Sequence, residues 1–191
     1  NPISEDTIYS LLKGFKYIIP QGSPMAGIGN DYQVQSLSNC FVIDSPADSY
    51  GGILFTDQEM VQLMKRRGGV GFDISPIRPK GCVTANAART TDGIESFMER
   101  FSNSTREVAQ GGRRGALMIT IDVSHTQIRD FIRIKRNLKK VTGANISIRL
   151  SEKFMNAVKS DTAFTLQWPV NVDDPEMSES VNARELWDEI I

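Results

Sequence analysis

Apolar positions recur along this chain with two periods, and their alternation predicts the order of elements. Ile8, Leu11, Leu12 and Phe15 share one helical face, with Ser4 placed to cap it. Pro20-Gln21-Gly22-Ser23-Pro24 reads as a loop. Cys40-Phe41-Val42-Ile43 is a short apolar run of strand length. Thr56 and Glu59 have capping-box spacing, which predicts a helix carrying Met60, Val61, Leu63 and Met64 and ended by Gly68-Gly69. Val70, Phe72 and Ile74 alternate as a strand. Ile94, Phe97, Met98, Phe101 and Val108 return to helical spacing, and Leu117, Ile119, Ile121 and Val123 alternate again. A second capping box, Ser124 and Gln127, precedes Ile128, Phe131 and Ile132. Ile146, Ile148 and Leu150 form a strand, Ser151 caps a helix with Phe154, Met155 and Val158, and Phe164, Leu166 and Trp168 form another strand. Asn182 and Glu185 open a last helix with Leu186, Trp187 and Ile190. Strand alternating with helix predicts an α/β fold. With no internal repeat and no low-complexity linker, residues 1–191 read as a single partial domain. The last helix runs to Ile191 without a cap and Asn1-Pro2 lack an initiator methionine, so an excised piece of a longer polypeptide is expected.

Composition narrows the function classes. Of 191 residues, 40% are hydrophobic and 24% charged, which is globular rather than disordered. A formal net charge of -1 does not suggest nucleic acid as a partner. No apolar run is long enough to span a membrane and no signal peptide is present, so a cytoplasmic setting is the expectation. Cys40 and Cys82 make neither a disulfide framework nor a C-x-x-C motif. The one histidine, His125, leaves little material for a metal site and reads as structural or surface.

Several residues carry candidate chemistry. Gln110-Gly111-Gly112-Arg113-Arg114-Gly115 combines a permissive backbone with guanidinium forks that suit phosphate. It lies between a helix and a strand, the reverse of a P-loop's order, and it lacks the Lys-Ser/Thr pair. A helix stop with two surface arginines remains the other reading. Cys40, at a loop-strand junction after Ser38 and Asn39, is placed either to act as a thiol reductant or to be a buried, inert residue. Gly68-Gly69-Val70-Gly71 allows close backbone approach to a ligand, or simply packs a helix end against a strand. Asp48 suits either a sugar hydroxyl or an Asx turn. Arg78 and Lys80 suit phosphate or solvent. The basic run from Arg133 to Lys140 reads as a solvated helix end, and Cys82 as a loop thiol without a role.

The ordered set Ser38-Asn39-Cys40, Gly68-Gly69-Val70-Gly71-Phe72, Ile77-Arg78-Pro79-Lys80-Gly81 and Gln110-Gly111-Gly112-Arg113-Arg114-Gly115-Ala116 resembles the large, catalytic chain of ribonucleotide reductase. Ser124-His125 before Phe131-Ile132, and Asn145-Ile146-Ser147 before Phe154-Met155, extend the resemblance from about Ser23 to the end. The resemblance implies the first half of a ten-stranded α/β barrel made of two five-stranded halves. It implies a ribonucleoside-diphosphate reductase: an oxidoreductase that replaces the ribose 2′-hydroxyl by radical chemistry, with a disulfide as acceptor, in deoxyribonucleotide biosynthesis for DNA replication. Cys40 takes the place of one cysteine of the redox pair. Ser23, Ser38, Asn39 and Gly69 fall where the family binds substrate. Asp48 and Arg78 fall where it binds the deoxynucleotide effector. Gln110, Gly111, Gly112, Arg113, Arg114 and Gly115 match the loop joining the two sites.

The family's Asn-x-Cys-x-Glu radical motif and its second redox cysteine are absent from this sequence, so the chain alone is expected to be inactive. The implied partners are a ribonucleotide, a deoxynucleotide effector, the remainder of the catalytic chain, a thioredoxin-like reductant and a second copy in a homodimer. The Arg113-Arg114-Gly115-Ala116 form and the Ser124-His125 to Asn145-Ile146-Ser147 stretch resemble the cobalamin-dependent class more closely, which implies adenosylcobalamin as the parent enzyme's radical source, with a separate metal-radical subunit as the alternative. No ligand set for a metal is evident in the chain itself. A nucleotide-binding or regulatory module, or one half of a split enzyme, is the alternative function.

Overall fold

The computed structural model describes residues 2–108 and 115–191. Four strands, β1 (Cys40–Val42), β2 (Gly69–Asp73), β3 (Leu117–Asp122) and β4 (Ala144–Arg149), form one parallel sheet in sequence order. Cys40 pairs with Gly69, Val70 with Leu117, and Leu117 with Ala144. The crossovers carry helices α3 (Tyr50–Met64), α4 (Ile94–Glu107) and α5 (Ile128–Ile134). Two short helices, α1 (Glu5–Leu12) and α2 (Ser23–Gly27), precede β1. After β4 come α6 (Glu152–Ser160), an antiparallel hairpin of β5 (Ala163–Trp168) and β6 (Met177–Asn182), and α7 (Ala183–Ile190). This is the α/β architecture expected of the first part of the family's barrel, with the barrel not closed.

Period two along each strand sends alternate side chains to opposite faces. Val70, Phe72, Leu117, Ile119 and Ile121 are buried under the helices, where Phe72 meets Phe101 of α4 edge-on at 4.8 Å. Burying one such side chain contributes roughly 1.5–3 kcal/mol. The other face, with Cys40, Val42, Gly71, Met118 and Asn145, has no covering layer among the described residues; Val42 is 92% exposed. Parallel sheets are ordinarily covered on both faces, so this is the face that another layer must close.

Four local expectations are corrected. The third helix begins at Tyr50, not near Thr56: Ser49 caps it by accepting from Gly52 N–H at 3.0 Å, and Thr56 is buried inside it. Gly51-Gly52 hid its first turn. A Cβ at Gly52 would stand 2.5 Å from Ala47 O, so glycine is required there by packing. The same helix ends at Met64, before Gly68-Gly69. Arg67 takes φ +72° in the turn, Gly68 lies under the Phe41 ring, and Gly69 already belongs to β2. Ser124 and Gln127 do not form a box. Ser124 donates to Asp122 at 2.6 Å, while Gln127 Oε1 accepts from Ile94 N–H at 3.1 Å and so caps α4, 33 residues upstream in the chain. The Pro20–Pro24 stretch is not all loop, because Ser23 and Pro24 open α2. The hairpin partner β6, Met-Ser-Glu-Ser-Val-Asn, carries no apolar alternation and is organised by its pairing with β5.

Candidate functional site

Cys40 begins β1 on the uncovered face and is exposed. Beside it is Gly69, where an added Cβ would lie 3.6 Å from the Cys40 sulfur, 3.4 Å from Asn39 O and 3.5 Å from Ala116 Cβ. With hydrogen at that position the sulfur is open to the cavity above the sheet. That cavity has a volume of about 560 Å³, and its floor is built from Cys40, Gly69, Gly71, Met118, Asn145 and Arg149 among others.

Three further predicted residues join Cys40 and Gly69 at this end of the sheet. Asn39 Oδ1 accepts from Ser23 N–H at 2.6 Å, which brings the start of α2 to the mouth of β1. Gly22 turns there with φ +58°, and a side chain at that position would collide with Asn39. Ser38 is exposed next to them, its N–H bonded to Ser36 Oγ at 2.9 Å. Ser23, Ser38, Asn39, Cys40 and Gly69 therefore gather within a few residues of one sheet edge.

The far end of the same face holds a charged group that the sequence reading missed. Asp73 Oδ2 accepts from Thr120 Oγ1 at 3.0 Å and from Arg149 Nη1 at 2.9 Å. Asp122 lies 3.8 Å from Arg149 Nη2. Burial works to raise the Asp73 carboxyl, but hydrogen bonds from Ser75, Arg149 and Thr120 outweigh it and hold its pKa below the usual value. The available signal was parity: Asp73 lies two pleats along from Gly69, Thr120 pairs directly with Asp73, and Arg149 falls on the same face one pleat further along β4.

Asp48 and Arg78 meet in a second cleft, on the helix side of the sheet. Arg78 Nε–H donates to Asp48 Oδ2 at 2.6 Å, and Arg78 N–H donates to Asp48 Oδ1 at 3.0 Å. Its Nη1 donates to Val83 O at 2.6 Å, and its Cζ stands 5.6 Å from the centre of the Trp168 ring. The cleft has a volume of about 270 Å³ and includes Ser49, Tyr50, Thr84, Asn86 and Phe97. Tyr50 and Phe97 meet edge-on at 6.1 Å across it. Hydroxyl, amide, guanidinium and aromatic groups thus converge on one space.

Of the predicted loop, Gln110, Gly111, Gly112, Arg113 and Arg114 lie outside the described residues. Gly115 lies inside them, and a Cβ there would stand 2.9 Å from both Thr105 O and Met64 Sδ, so glycine lets the chain pass the end of α4 closely. His125 is buried: Nδ1 accepts from Gln127 N–H at 3.0 Å, which leaves Nε2–H to donate to Ile77 O at 3.0 Å. Burial lowers its pKa and favours the neutral ring. Cys82 is a free thiol in a loop, as expected, but not an exposed one. It is buried and donates to Met177 Sδ at 3.2 Å, away from the Cys40 cavity. The basic run is partly structural, since Lys135 Nζ donates to Val141 O at 2.6 Å and Arg133 pairs with Glu189 at 3.0 Å. Among the described residues no three His, Cys, Asp or Glu side chains are grouped to hold a metal, and no helix is long and apolar enough to cross a membrane.

Residues 38–191 match the family model for the ribonucleotide reductase barrel domain, and the chain belongs to that family. It is 32% identical over 175 residues to the vitamin B12-dependent ribonucleoside-diphosphate reductase of Thermoplasma acidophilum, covering 91% of this chain and 22% of that protein. It is 30% identical over 183 residues to the enzyme of the same description from Mycobacterium tuberculosis, covering 95% and 25%. It is also 31% identical over 139 residues to the ribonucleoside-diphosphate reductase large chain of Neurospora crassa, covering 70% and 15%. The chain spans a quarter or less of the length of these curated relatives.

Proposed function

We propose that this chain is a partial domain of a ribonucleotide reductase catalytic chain, with Cys40 as one of two thiols that reduce the ribose. The observation that carries this reading is the exposed Cys40 on the uncovered sheet face, opening onto the cavity of about 560 Å³. The reduction balances with two thiols. A 2′ C–OH and two S–H groups become a C–H, a water and a disulfide, and a thioredoxin-like reductant restores the thiols. Cys82 stands apart from the cavity, so the second thiol belongs to the remainder of the catalytic chain, and this chain alone does not turn over. The cluster of Ser23, Ser38, Asn39 and Gly69 beside Cys40 supports a role in holding the substrate's phosphate and ribose.

Asp48 and Arg78 are the effector site in this reading. The carboxylate suits a sugar hydroxyl and the guanidinium a phosphate. Residues 110–115 connect that site to the substrate base, and a second copy of the chain completes the dimer. The Thermoplasma and Mycobacterium relatives are named as vitamin B12-dependent, which supports adenosylcobalamin as the parent enzyme's radical source. His125, the one histidine of the chain, has both ring nitrogens committed to Ile77 and Gln127 and so offers cobalt no imidazole ligand.

The test is Cys40→Ser in the protein assembled with its remaining catalytic chain. Multiple turnover with a thioredoxin-type reductant is lost while nucleotide binding persists. A Cys40→Ser enzyme turning over at the unaltered rate overturns the assignment.

A further inference from the structure

The β5–β6 hairpin ends on the cross-strand pair Trp168 and Met177, next to its turn. Both residues of that pair grip the segment from Pro76 to Val83. Trp168 Nε1–H donates to Pro76 O at 3.2 Å, and its ring lies under the Arg78 guanidinium, 5.6 Å from Cζ. Met177 Sδ accepts from Cys82 Sγ–H at 3.2 Å. Trp168 is 3% exposed, so the indole face toward Arg78 is shielded from water. We propose that Trp168 and Met177 are positioning residues for the Asp48–Arg78 cleft, acting from the hairpin to hold the guanidinium in the orientation that binds a deoxynucleoside triphosphate. This rests on the reading of that cleft as the effector site.

The physical case turns on how Arg78 is held. The Arg78 and Asp48 side chains keep exposures of 28% and 20%, so solvent partly screens that ion pair. An arginine held only by such a pair retains much of its rotamer freedom and loses it on binding a ligand. The indole supplies a third, desolvated side, where a cation over an aromatic face is attracted most strongly. Nε and Nη1 are already committed to Asp48 and Val83. No hydrogen bond from Nη2 is made among the described residues, so these donors remain for an anionic ligand in the cleft. The Met177 contact fixes the other end of the same segment, behind Val83, whose carbonyl holds Nη1.

The experiment is equilibrium binding of deoxynucleoside triphosphates to the full chain, with variants Trp168→Phe, Met177→Leu and, as a control elsewhere on the hairpin, Thr165→Ala. Trp168→Phe keeps the apolar volume but loses the bond to Pro76 and weakens the cation–π contact; its Kd rises about tenfold. Met177→Leu conserves volume and raises Kd about twofold to threefold. Thr165→Ala leaves it unchanged. In an Arg78→Lys background, Trp168→Phe adds little, because its effect passes through the guanidinium. That coupling separates positioning from a general loss of stability, and Met177→Leu gives the readout if Trp168→Phe fails to fold. Unaltered Kd in both hairpin variants, or full additivity with Arg78→Lys, overturns the proposal while leaving the effector reading intact. A parent chain that binds no deoxynucleoside triphosphate overturns both.

Discussion

The Cys40 sulfur lies 3.6 Å from the point where a Cβ on Gly69 would stand, across the first parallel strand pair. That distance is ordinary van der Waals contact, so the glycine is not demanded by the packing of the sheet. It leaves the flank of the thiol free. Gly69→Ala is therefore expected to fold with nearly unchanged thermal stability and to slow alkylation of Cys40. A variant whose Cys40 is alkylated as fast as before would show that the flank is not the route of approach.

The two cysteines are expected to differ sharply toward a thiol reagent. Cys40 is exposed, whereas Cys82 is 6% exposed and burial raises its thiol pKa. Thiolate and access both govern the rate. Under native conditions near neutral pH, mass spectrometry of partly alkylated protein should find Cys40 modified at least about tenfold faster than Cys82. Equal rates would contradict the burial of Cys82.

Gln127 serves two distant backbone donors at once. Its Oε1 accepts from Lys80 N–H at 2.9 Å and Ile94 N–H at 3.1 Å. A Cβ on Gly93, where φ is +77°, would stand 2.5 Å from Lys80 N, so the chain has no room to rearrange around the loss. Gln127→Leu leaves both donors without an acceptor and is expected to cost about 2–4 kcal/mol, a penalty of about 1–3 kcal/mol attaching to each such group. Urea denaturation measures it; a loss below about 0.5 kcal/mol, within the range of ordinary surface substitutions, would refute the role.

His125 makes stability depend on pH. Burial, the largest influence, lowers its folded pKa below the ordinary 6.5, so the unfolded chain binds the extra proton first. The stability from the neutral ring is complete above about 6.5 and is lost as pH falls below it. Asp73, also lowered, acts in a separate window below its ordinary 3.8. The thermal midpoint should fall between about pH 7 and pH 5, and His125→Leu should be less stable at pH 7 but flatter across that interval. An equally steep decline in the variant would assign the effect to another group.

Much of the local structure was legible because it depends on near neighbours. Ser4, Ser151 and Asn182 cap the helices they were expected to cap, each accepting from the N–H three residues on. The alternation of Val70 with Phe72, and of Leu117 with Ile119 and Ile121, located two central strands, because a buried face of period two leaves that mark. The Thr56-Glu59 spacing misled because it falls inside a helix that Ser49 already caps, and the Ser124-Gln127 spacing because Ser124 bonds to Asp122 while Gln127 serves Lys80 and Ile94 far back in the chain. Strand β6 left no mark because its residues are mostly exposed and its order comes from β5.

The sequence by itself determined the α/β class, the order of most elements and the family, since hydrophobic periodicity and the spacing of Cys40, the Gly68–Gly71 run and Arg78 are properties of the linear chain. Only the tertiary structure decided which side chains meet. Parallel pairing set Cys40 beside Gly69 and aligned Asp73, Thr120 and Arg149 on the same uncovered face. Folding of the 76–83 segment against the hairpin put Arg78 between Asp48 and Trp168, residues 30 positions behind it and 90 ahead by number. Such contacts come from closing long loops on a packed sheet, and that geometry has no signature in local spacing.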